Sequence, residues 1–190
     1  MKTLRSQEQK ISHLSAASEF KLKGENRLSP IYHRVSIRKY LDKPVDDELI
    51  KEVLRAGMQA PSASNQQPWE FYVTHDHEKM MALSEVSPYA KMLKNAPCAI
   101  VSAYRKNCRL PDYAEIDLSI AMENMWLRCD ELGLGAVWLG IAPIEERMKG
   151  CEEICEIDEN LRAFGILVIG WPAEEKKQQD RFEESRIHIF

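Results

Sequence analysis

Arg34-Val35-Ser36-Ile37-Arg38 and, further along, Ala60-Pro61-Ser62-Ala63-Ser64-Asn65-Gln66-Gln67-Pro68-Trp69 are the stretches on which the fold turns. In an extended chain side chains alternate between faces, so Arg34, Ser36 and Arg38 share one face while Val35 and Ile37 anchor the other. Two guanidiniums flanking a hydroxyl suit a phosphate: the Arg fork gives charge-assisted, often bidentate bonds, and the hydroxyl adds a neutral donor. A solvated charged strand or a helix start fits the pentapeptide about as well. In the second stretch Pro61 and Pro68 bracket small and amide residues, the composition of an ordered loop that offers N–H groups, hydroxyls and carboxamides. Asn65 and Gln67 each hold a donor and an acceptor on one planar group, which suits the edge of a heteroaromatic ring carrying alternating C=O and N–H. A plain helix-to-strand connection has the same composition.

Around these stretches the chain is 190 residues long, 44% hydrophobic and 29% charged, enough for one soluble domain with a sizeable core. A formal net charge of −4 argues against a nucleic-acid binder, whose phosphate affinity needs a basic surface. No apolar run reaches the ~18 residues of a transmembrane helix, and the N-terminus lacks the apolar core of a signal peptide, so no membrane partner and a cytoplasmic location are expected. Cys98, Cys108, Cys129, Cys151 and Cys155 are odd in number and lack metal-ligand spacing. They read as reduced thiols, mostly buried, with no metal site.

Residues 1–29, rich in Lys, Ser, Glu and Gln, read as an extension to a domain over 30–190. Asp46 and Asp47 are candidate caps for a helix carrying Leu49, Ile50, Val53 and Leu54, ended by Gly57 to Pro61. Strands are expected over 69–74, 98–104, 136–141 and 164–169. Further helices are expected over 75–86, 89–95 and 144–150, the last followed by a loop over 151–160. The longest helix, over 113–132, carries Leu118, Ala121, Met122, Met125, Cys129 and Leu132 at spacings of three and four. Residues 173–180, charged and without period, read as extended or mobile, and 181–190 close the chain with apolar residues. Helices alternating with four or five strands give an α+β or α/β sandwich.

A third stretch, Gly133-Leu134-Gly135-Ala136-Val137-Trp138-Leu139-Gly140, completes a pattern. With His33-Arg34-Val35-Ser36-Ile37-Arg38-Lys39-Tyr40 and Ala60 to Trp69, in this order, the chain resembles the flavin-dependent nitroreductase family over about residues 31 to 190. The resemblance implies an α+β fold with a mixed sheet flanked by helices. It also implies an intertwined homodimer with the longest helix at its centre and FMN at the subunit interface. NADH or NADPH would deliver hydride to flavin N5, and an electron-poor acceptor such as a nitroaromatic, quinone or activated alkene would receive it.

The cofactor residues that the resemblance implies fall into four groups. Arg34, Val35, Ser36 and Arg38 serve the phosphate and ring edge, with Arg38 near N1–C2=O, where positive charge favours the anionic reduced flavin. Pro61, Ser62, Ala63 and Asn65, extended by Gln67, come to the ring from the second subunit. The backbone of Trp138, Leu139 and Gly140 runs beside N5 and O4, where a glycine lets the main chain approach a ligand. Arg181 completes the phosphate site, with Arg186 as its competitor.

No side chain is expected as acid, base or nucleophile, since the cofactor carries the chemistry. His33, His75, His77 and His188 read as surface or structural residues. A flavin-binding storage or sensor protein without turnover is the alternative. The connection from Tyr104 to Tyr113 is short, so no large substrate lid is expected, and neither the acceptor nor the choice between NADH and NADPH follows. A plain Rossmann dehydrogenase would need a Gly-x-Gly-x-x-Gly turn after a strand, whereas Gly133 and Gly135 follow a helix.

Overall fold

Alternation along the strands builds two cores, one on each face of a single sheet. The computed structural model describes residues 29–190, and the extension expected over residues 1–29 lies, Ser29 apart, outside the described residues. The elements are α1 (Pro30–His33), α2 (Asp47–Met58), β1 (Trp69–Thr74), α3 (His77–Leu83), β2 (Cys98–Arg105), α4 (Ala114–Glu131), β3 (Gly135–Gly140), α5 (Glu145–Ile154) and β4 (Leu161–Gly170). Cys98 and Ile100 of β2 with Leu167 and Ile169 of β4 face α2 and α4, where they join Ile50, Val53, Leu118, Met122 and Met125. Ala99 and Val101 with Ile166 and Val168 face α3 and α5, joining Met80, Leu83, Met148 and Cys151. Each large aliphatic side chain buried in this way contributes about 1.5–3 kcal/mol, so both faces drive the fold.

The strand order is β1-β2-β4-β3, and all three ladders are antiparallel. The mixed character of the sheet comes from one isolated parallel bridge, Ser36 with Ala136, which hangs the segment after α1 on the β3 edge. An antiparallel bridge between Tyr40 and Pro172 fixes the far end of that segment. The α+β class is therefore observed.

Element ends have local causes. Asp46 takes the N-cap position of α2, and a Cβ at Gly57 would lie 2.7 Å from Met125 Cγ, so this glycine lets α2 and α4 pack closely. Asp76 accepts from the N–H groups of Glu78 at 2.8 Å and Lys79 at 3.1 Å, which starts α3 at His77 and not at His75. Gly150 does not end α5: a Cβ there would lie 3.2 Å from Val86 Cγ1, so the glycine serves packing and the helix continues to Ile154. Across a register shift between Ser102 and Ala103, β2 and β4 stay paired as far as Arg105 and Leu161, one position past the expected end of β2 and three before the expected start of β4. Among the described residues no helix is long and apolar enough to cross a membrane.

Candidate cofactor site

The segment after α1 is held at successive positions. The Ile37 side chain is buried, and its N–H donates to Ala136 O at 3.0 Å. Arg34, Ser36 and Arg38 line a cavity of about 380 Å³; Val35, expected beside Ile37 on the anchoring face, lines it too, so only Ile37 is the buried anchor. Arg34 stacks its guanidinium 3.9 Å from the centre of the Trp126 ring and reaches Glu123 Oε1 at 3.4 Å. Trp126 is itself fixed by its Nε1–H donating to Ala136 O at 3.0 Å.

The opposite wall is the C-terminal segment, which runs extended along residues 34–39. Ala173 N–H donates to Lys39 O at 2.9 Å, Lys176 Nζ to Ser36 O at 2.9 Å and Gln178 Nε2 to Arg34 O at 2.6 Å. Glu174 Oε1 accepts from Arg38 N–H at 2.6 Å and Lys39 N–H at 3.2 Å, and lies 2.9 Å from Lys176 Nζ. Arg181 also lines the cavity, with Nη1 donating to Gln178 Oε1 at 2.8 Å. Five cationic side chains, Arg34, Arg38, Lys176, Lys177 and Arg181, and no carboxylate line this space, with Arg34 paired to Glu123 and Lys176 to Glu174 just outside it. Arg186 is not among its lining residues and pairs with Glu183.

β3, bridged at Ala136 to Ser36 of the cavity wall, is the edge strand of the sheet. Ala136 O points away from β4, and with a period of two the N–H groups of Trp138 and Gly140 point to the same open side. Trp138 lies against Phe164, with ring centres 5.8 Å apart, while Leu139 is buried on the α3/α5 face. A Cβ at Gly140 would meet nothing within 4 Å, so the backbone there borders open space.

Residues 61–67 are not at this cavity. They pack on the first turn of α4, where Ala63 N–H donates to Asp117 Oδ1 at 2.9 Å, whereas the cavity meets α4 at Trp126. Nine residues separate these points, roughly 13 Å along the helix. Pro61, Ser62, Ala63, Asn65 and Gln67 thus form a second, separate surface of the same chain. Ser64, Asn65 and Gln67 all have positive φ, at 51°, 52° and 46°.

Sequence reading missed Trp126, and it missed the lysines of the tail, which read there as aperiodic charge. It also missed Asp117, whose signal was a carboxylate on the apolar face of a helix. Burial pushes the Tyr40 phenol above its usual range, and its O–H donates to Ile37 O at 2.7 Å as a structural tie. Among the described residues no group of three or more His, Cys, Asp or Glu could hold a metal ion.

The nitroreductase family model matches residues 31–91 and 82–171. An Archaeoglobus fulgidus protein with the provisional name NADH dehydrogenase/NAD(P)H nitroreductase is 44% identical over 169 residues, which is 86% of this chain and 97% of that protein. A Clostridium acetobutylicum structure with the provisional title NADH oxidase is 46% identical, with a TM-score of 0.81 over 84% of this chain and 98% of that one. A Desulfovibrio desulfuricans structure, titled provisionally as a nitroreductase in complex with FMN, is 28% identical, with a TM-score of 0.73 over 88% of this chain and 99% of that one. The family match covers most of the chain, and the fold and the three motifs agree with it: this chain belongs to the nitroreductase family.

Proposed function

We propose that this protein is a cytoplasmic, homodimeric, FMN-dependent oxidoreductase that takes electrons from NADH or NADPH and gives them to a small electron-poor acceptor. The observation that carries this reading is the convergence of Arg34, Ser36, Arg38 and Arg181 on one cation-lined cavity whose wall is bridged, at Ser36, to Ala136 of the open-edged β3. FMN suits both features, with a phosphate that needs cations and a flat ring that needs matched donors at its edge. The relative solved with FMN shares this fold over nearly all of its length, which supports the choice of cofactor.

On this reading Arg34, Ser36 and Arg181 hold the phosphate. Arg38, whose guanidinium has no carboxylate partner among the described residues, stabilises negative charge at the ring edge. The N–H groups at Trp138 and Gly140 steady the ring's reactive side. Pro61, Ser62, Ala63, Asn65 and Gln67 reach the ring of the neighbouring subunit, since in one chain they lie away from the cavity. When bound, FMN accepts hydride from NAD(P)H and passes electrons on to a nitroaromatic, a quinone or an activated alkene. The protein supplies binding, orientation and charge, with no side chain acting as acid, base or nucleophile.

The test is an absorbance spectrum of the purified protein followed by anaerobic titration with NADH and then NADPH. Flavin bands that bleach with one of them identify the donor. Bands that persist with both would turn the reading to flavin storage or sensing, and a protein that neither retains nor rebinds FMN would overturn it.

A further inference from the structure

The loop between α2 and β1 carries three adjacent carboxamides with different fates. Among the described residues those of Asn65 and Gln67 make no hydrogen bond and are exposed, whereas that of Gln66, between them, makes three. Gln66 Nε2 donates to Leu110 O at 3.1 Å and to Asp117 Oδ2 at 2.7 Å, and its Oε1 accepts from Leu110 N–H at 2.8 Å. Asp117, only 3% exposed, spends its other oxygen on Ala63 N–H at 2.9 Å. One buried carboxylate therefore grips the loop at its backbone and at its central side chain.

The grip opposes strain. Ser64, Asn65 and Gln67 sit in the left-handed region, which non-glycine residues hold only where surrounding contacts over-determine it. Further ties surround the latch: Gln67 N–H donates to Ser62 Oγ at 3.0 Å, and the Arg105 guanidinium donates to the carbonyls of Gln66 and Gln67 while pairing with Glu70. A loop that exists only to connect α2 and β1 needs no such conformation. This one turns Gln66 inward and leaves its two neighbours free to bond elsewhere.

We infer that Asp117, acting through Gln66, is the positioning residue that aims the carboxamides of Asn65 and Gln67 at the flavin ring of the neighbouring subunit. The inference rests on the FMN reading above. It also gives a chemical reason for an acid at position 117. A carboxylate accepts at both oxygens, whereas a carboxamide there would turn a donor on Gln66 Nε2. Rotating the Gln66 amide only moves the conflict to Leu110.

The experiment measures FMN dissociation constants on the full-length protein, with melting temperature and hydrogen exchange over residues 62–67, for three variants. Asp117→Asn should exchange faster in the loop and bind FMN about tenfold more weakly, as expected when a buried bond is replaced by a donor facing a donor. Asp117→Asn combined with Gln66→Glu restores donor to acceptor between positions 117 and 66 but turns a carboxylate oxygen on Leu110 O, and should therefore recover part of the tenfold loss in FMN affinity. Gln66→Met removes the latch but leaves the carboxylate on Ala63, and reads the same loss if Asp117→Asn does not fold. Faster exchange with unchanged FMN affinity overturns the inference, as does a double variant that regains its melting temperature but none of the lost affinity. A wild-type protein that binds no FMN overturns the cofactor reading and this inference with it, which separates the two failures.

Discussion

Ile37 and Gly135 touch so closely that a Cβ at position 135 would fall 2.7 Å from Ile37 Cγ2. This contact joins the first and third sequence stretches and sets how the phosphate-gripping segment lies on β3. Gly135→Ala should therefore cost about 1–3 kcal/mol through overpacking and weaken FMN binding as Ile37 moves. At Gly140 nothing lies within 4 Å, so Gly140→Ala should leave stability within about 0.5 kcal/mol while still reducing FMN affinity. Urea unfolding and FMN titration of both variants check the pair, and unchanged affinity in Gly140→Ala would refute a ligand against the β3 edge.

Arg181 and Arg186 are separated by their surroundings. Arg181 lines the basic cavity, whereas Arg186 is paired with Glu183 outside it. Removing a charge-assisted bond to phosphate loses about 1.5–3 kcal/mol, so Arg181→Ala should weaken FMN by at least about tenfold. Arg186→Ala should leave it within about twofold, as a surface pair contributes little. Raising salt should narrow the gap, because a solvent-reached cation is screened. Fluorescence titration of apoprotein decides, and equal losses in the two variants would remove Arg181 from the phosphate site.

The parts of this structure that were legible in the sequence are those written in local period. The stripe Leu118, Ala121, Met122, Met125 and Cys129 gave α4, and the alternation of Arg34, Ser36 and Arg38 gave their shared face. What was not legible depends on partners far apart in the chain. Glu174 binds the backbone at Arg38 across 136 positions, and nothing in the charge-rich tail marks one glutamate for that task. Gly150 looked like a helix end because a glycine's cost is local, while its benefit, contact with Val86, is tertiary. Asp117 shows the same division: an acid within an apolar stripe was visible, but its partners Ala63 and Gln66 lie more than fifty positions away.

Glu174 gives the site an acid limit. Burial works to raise its pKa, but the bonds from Arg38 N–H, Lys176 and Lys39 N–H outweigh it and hold the carboxyl below its ordinary value of 4.5. A group with a depressed folded pKa contributes stability that is present above the unfolded value and lost as pH falls through the folded one. The stability difference between wild type and Glu174→Gln should thus be full above pH 4.5 and shrink below it. Denaturant titrations at several pH values measure this, and a difference that is flat from neutral pH into acid would show that the Glu174 bonds carry no net charge advantage.

The thiols test the core from the opposite end of the pH scale. Burial pushes Cys98 and Cys151 up to about 12 and raises Cys129 further, whereas Cys108 lies partly exposed in the loop after β2. Only the thiolate attacks an alkylating reagent, so at pH 8 iodoacetamide should modify Cys108 first and leave Cys98, Cys129 and Cys151 until the protein unfolds. Cys155, half-buried and raised by burial against the opposing pull of Lys79, should follow Cys108 slowly. Raised folded values stabilise the native state fully below the ordinary thiol value of 9.0, and that stability drains away as pH climbs from there toward about 12. Labelling of the three buried thiols should consequently appear together, with the alkaline loss of structure, when followed by mass spectrometry beside circular dichroism. If Cys98 reacts at the rate of Cys108 while the protein is still folded, the contact of β2 with α4 opens locally, and the two-faced sheet core does not behave as one cooperative unit.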